Sequence, residues 1–65
     1  MSTLPVAELV EFARREGRRR ELKQAAVGAV VEALELSGGD VKLNLRNVIR
    51  MLDRGEAMER AAVLH

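Results

Sequence analysis

At 65 residues the chain is long enough for one domain and too short for a large core; a protein of this size buries only about 60% of the surface its unfolded form exposes. With no cysteine, neither a disulfide nor a thiolate–metal staple can reinforce that core, and association with further copies is the remaining common remedy. Eleven Lys and Arg against ten Asp and Glu give a net charge of +1, which excludes a strongly basic nucleic-acid coat protein and an acidic disordered tail alike.

Taken in order, Ser2 and Thr3 precede Pro5, a hydroxyl cap followed by proline in the first turn. Val6, Leu9, Val10 and Ala13 then recur at helical spacing and predict a first helix over 5–16, with Gly17 as its stop. Glu8 and Glu11 sit near its positive end and Arg14 and Arg15 near its negative end.

A second helix is predicted over 18–36, ended by Ser37, Gly38 and Gly39. No charge occurs between Lys23 and Glu32, so such a helix cannot lie on a surface. It carries two apolar strips. Val27, Val30, Val31 and Leu34 form the bulky one, the expected core of the chain itself. Leu22, Ala26, Ala29, Ala33 and Leu36 repeat at coiled-coil spacing and, with Ala25 and Gly28, make a patch without bulk that another helix could approach closely. These seven residues are the candidate oligomer interface. Gly28 is disfavoured by ~1 kcal/mol relative to alanine inside a helix, so either packing rewards it or the helix tolerates it.

Asp40 can cap a third helix over 41–53, in which Val41, Leu45, Val48, Ile49 and Leu52 share a face. VKLNLR also alternates apolar and polar as a half-buried strand does, but a strand here would need pairing between subunits, as in ribbon-helix-helix dimers, and the helix is favoured. Asp53 and Glu56 resemble a capping box ahead of a short fourth helix over 56–63, turned off at Gly55. The expectation is therefore one all-α domain spanning 1–65, a small bundle of three to four short helices completed by homo-oligomerisation, with a dimer favoured.

Catalytic chemistry finds little to work with. The one His is the last residue, Cys and Tyr are absent, and the hydroxyls of Ser2, Thr3 and Ser37 fall at helix boundaries. Glu32 and Glu35 lie a turn apart, as a solvated helix face explains. SGGD lacks the spacing of a phosphate loop. No enzyme activity, metal, cofactor or small-molecule substrate is expected.

The basic residues are the clearest surface signal. Arg14, Arg15, Arg18, Arg19 and Arg20 cluster at the first helix junction beside Lys23, and Lys42, Arg46, Arg50 and Arg54 form a stripe at four-residue spacing. Such groups suit the phosphates of duplex DNA, an acidic protein, or a neighbouring subunit. Phe12 is the one aromatic, so the stacking platforms used for single strands are missing. Residues 30–41, VVEALELSGGDV, resemble the helix and turn that open the helix-turn-helix of Fis-type DNA-binding domains. Where that family continues into an arginine-rich recognition helix, this chain reads Leu43, Asn44 and Leu45, so no functional residue is carried over.

The segment before Glu8 has no basic start and apolar core of a signal peptide, and the longest uncharged run of eight residues is far below the roughly 18 that span a bilayer. A soluble, cytoplasmic protein with no membrane partner is expected. The functional expectation is a small, self-associating interaction or regulatory module without catalysis, with a dimeric duplex-DNA-binding transcriptional regulator as the alternative.

Overall fold

The computed structural model describes residues 4–37 and 44–64. They form three helices, α1 (Val6–Arg19), α2 (Gln24–Leu36) and α3 (Leu45–Leu64), and no strand occurs among the described residues. The fold is all-α. Leu9 and Ala13 of α1, Val27, Val30, Val31 and Leu34 of α2, and Val48 and Leu52 of α3 make one core in which no polar side chain is buried. The bulky strip of α2 therefore occupies the place its spacing foretold.

α1 starts on the Pro5 carbonyl, which accepts from the Glu8 and Leu9 amides at 3.0 and 3.2 Å. Proline stands at the cap itself, where its missing N–H removes nothing from the helix. The expected Ser2 and Thr3 cap lies outside the described residues. Leu9, Ala13 and Gly17 follow at four-residue spacing on the buried side. Gly17 does not stop the helix as expected. Its absent Cβ is what the fold uses, because a Cβ there would fall inside the Val27 side chain of α2.

The helix ends one turn later. Leu22 N–H donates to the Gly17 carbonyl at 2.8 Å and Glu21 N–H to the Arg18 carbonyl at 3.1 Å, the paired bonds of a Schellman motif. Glu21 takes the left-handed position usually held by glycine, with φ of 57°. Leu22 then packs against the core. Because residues 20–23 form this corner, α2 begins at Gln24, not at Arg18 as expected.

No side chain of its own caps α2. Instead Lys23 N–H donates to the Glu59 carboxylate of α3, a negative charge at the positive end of the helix. At the other end Ser37 Oγ donates to the Ala33 and Leu34 carbonyls at 2.8 and 3.0 Å, so the helix stops where expected; Gly38, Gly39 and Asp40 lie outside the described residues.

Asn44 caps α3: its Oδ1 accepts from Asn47 N–H at 2.9 Å, and its carbonyl accepts from Val48 N–H at 3.1 Å. Residues 41–43 of the ambiguous VKLNLR lie outside the described residues, while Leu45 and Arg46 stand in the first turn of α3. The expected third and fourth helices are one. α3 runs unbroken through Gly55, which is buried, and where a Cβ would meet Ala26 of α2 at an ordinary contact distance of 3.5 Å. Asp53 and Glu56 face Arg20 and do not form a capping box. The contacts Lys23 to Glu59 and Ala26 to Gly55 run in opposite directions, so α2 and α3 are antiparallel.

The glycines separate under one substitution. Gly17→Ala overpacks Val27 and lowers stability by about 1–3 kcal/mol, whereas Gly28→Ala, with nothing within 4 Å of the new Cβ, raises it by about 0.5–1 kcal/mol. Urea denaturation followed by circular dichroism reads both signs.

Candidate association surface

α2 is apolar around most of its circumference, and α1 and α3 cover only the side carrying Val27, Val30, Val31 and Leu34. Ala25, Ala29, Ala33 and Leu36 remain exposed, Leu36 to 80%. A helix with apolar residues nearly all round is ordinarily buried. Here one side has no cover among the described residues.

Between that side and α3 runs an open groove of about 460 Å³. Ala25, Ala26, Ala29 and Ala33 form one wall, Met51, Met58 and Ala62 the other, with Gly55 between them and Lys23, Arg54 and Glu59 as charged edges. Met51, Gly55, Met58 and Ala62 line up because they recur at spacings of 4, 3 and 4 along one helix. Met58 is 67% exposed, and its flexible thioether side chain adapts to irregular partners.

Of the seven residues expected at an interface, Ala25, Ala26, Ala29 and Ala33 line the groove and Leu36 stands exposed beyond its end. Leu22 packs against the core, and Gly28 faces open space outside the groove. The α3 wall escaped sequence reasoning, because a break at Gly55 puts Met51 and Met58 on different helices. The unbroken 4-3-4 repeat was the signal that could have found it.

The basic cluster at the first junction is dispersed by the fold. Arg19 donates to Glu16 from Nε at 3.0 Å and Nη2 at 2.7 Å. That hydrogen bond holds the Glu16 carboxyl below its ordinary range and pushes the Arg19 guanidinium up. Arg20 turns inward instead, its side chain only 17% exposed. It pairs with Asp53 and lies 3.7 Å from Glu56 and 3.8 Å from Glu16. Arg20 is therefore a strut between α1 and α3, and not a surface cation for an external phosphate. Arg14, Arg15 and Arg18 are exposed.

Arg46, Arg50 and Arg54 are exposed along α3 at four-residue spacing; Lys42 lies outside the described residues. Among the described residues no group of three or more His, Cys, Asp or Glu is placed to hold a metal, and no helix is long and apolar enough to cross a membrane. Comparisons with protein-family models, curated proteins and solved structures find no match to this chain.

Two arginines that are neighbours in sequence should behave differently. Arg20→Ala removes a largely buried, charge-assisted link and costs about 1–3 kcal/mol. Arg19→Ala, on the exposed side, has a much smaller effect, confined by pH: the depressed Glu16 pKa contributes stability above the ordinary carboxylate range and loses it as pH falls through the folded-state value. Denaturation midpoints of both variants across acid and neutral pH check the contrast.

Proposed function

We propose that this protein is a small helical module that associates with itself through the α2–α3 groove and serves as an interaction or regulatory unit without catalysis. The observation that carries this reading is the uncovered alanine side of α2, continued by Met58 and Ala62 of α3.

Ala29→Glu puts a charge in the middle of the groove wall while leaving the core residues untouched. The molar mass in sedimentation equilibrium should drop from twice the chain mass to one chain mass, with helical circular dichroism retained. A monomeric wild-type chain at high micromolar concentration overturns the reading.

A second reading, duplex-DNA binding, is favoured by one observation: Arg46, Arg50 and Arg54 are exposed along α3 and make no ion pair among the described residues. A dimer would present two such rows to phosphates. Changing Arg46 and Arg50 together to Ala should weaken duplex binding and flatten its dependence on salt by a slope of about 2 for each chain bound. Absence of duplex binding by the wild type at low salt disposes of this alternative.

A further inference from the structure

We propose that residues 56–64 form a strap that swings about Gly55 and sets the width of the groove at the amino-terminal end of α2; this does not rest on self-association. Gly55 divides α3 into two unlike halves. Before it, Val48 and Leu52 are fully buried and Met51 packs against the core. After it no residue is buried through Leu64, and Met58, Val63 and Leu64 stand exposed. None of the partly buried hydrophobic residues that pack on the core lies beyond Met51. Two polar tethers join this half to the corner between α1 and α2. Glu59 accepts from Lys23 N–H, and Glu56 stands 3.7 Å from Arg20. A segment with few buried apolar contacts opens at lower free energy than the core does, and lids are drawn from such segments.

Packing does not call for the glycine at the boundary. A Cβ at position 55 would meet the Ala26 side chain at an ordinary 3.5 Å, so alanine fits there, and glycine is a poor residue for a helix interior. The weakest point of α3 as a helix thus coincides with the end of its buried anchorage. Beyond it, Ala57, Met58, Glu59, Arg60, Ala61 and Ala62 are strong helix formers, so the strap moves as a helix and does not unravel. Met58, Glu59 and Ala62 of the groove wall ride on it, while Met51 and Arg54 stay with the anchored half. The bond between Glu59 and the Lys23 amide closes that end of the groove, and its release opens it.

The absence of native cysteine lets pairs of spin labels be placed at will. Arg18→Cys with Ala61→Cys reports on the strap, and Arg18→Cys with Arg50→Cys on the anchored half; all three positions are exposed. Labelled chain is diluted with unlabelled chain so that electron–electron resonance reads each distance within one copy. Glu59→Ala should shift the 18–61 distribution to longer distances and broaden it, with the 18–50 distribution unmoved. Adding Gly55→Ala to Glu59→Ala should narrow the 18–61 distribution again. An 18–61 distribution that Glu59→Ala leaves unchanged, or a broadening of both pairs together, overturns the strap. A distribution that stays as broad after Gly55→Ala is added overturns the hinge. Should Glu59→Ala fail to fold, Glu59→Gln, which keeps an acceptor oxygen but not the charge, is read by the same outcomes.

Discussion

The Val27 side chain rests on α1 where Gly17 offers no Cβ, and the disposition of the three helices depends on that seat. A side chain at position 17 would push the two helices apart at the point where the chain is about to reverse. With the seat in place, α1 continues for one more turn and Leu22 closes onto the core. Gly55 differs, since a side chain there would sit at ordinary contact distance from Ala26. The close approach of backbone to α2 is thus made from α1, at Gly17. A core of eight small and medium aliphatic residues, with no buried polar group, can be dense only if the backbones come this near.

Charge in this molecule is sorted by depth. Arg20 and Glu59 bind one helix to another, Arg20 from the end of α1 to α3 and Glu59 from α3 to the Lys23 amide at the cap of α2. Both interactions converge at the corner between α1 and α2. Arg19 and Glu16 satisfy each other on the surface. The arginines of α3 and the acidic residues of α2 are left outward, with no ion pair among the described residues.

Much of this was legible in the sequence. The valine and leucine spacing identified the α2 face that fills the core, the alanine spacing identified the wall left open, and Ser37 marked where α2 stops. What was misread traces to two residues. Gly17 and Gly55 look like terminators because glycine tolerates the dihedrals of a helix end, yet both sit inside helices; at Gly17 the fold uses the missing side chain, and sequence alone does not say which property of a glycine a fold uses. Glu59 as the cap of α2 was beyond reach for another reason. Its partner is 36 residues away in the chain, and local capping rules see only a few positions.

The corner at Glu21 has a consequence for how the chain reaches this state. A glutamate held at φ of 57° opposes the local preference of an L-residue, by about 1–2 kcal/mol. On either side of it, Arg20 and Lys23 are bonded to α3. The bend between α1 and α2 is therefore held in part by α3, through contacts 33 and 36 residues away in the chain, so a change at Asp53 or Glu59 is felt at a corner far from it in sequence.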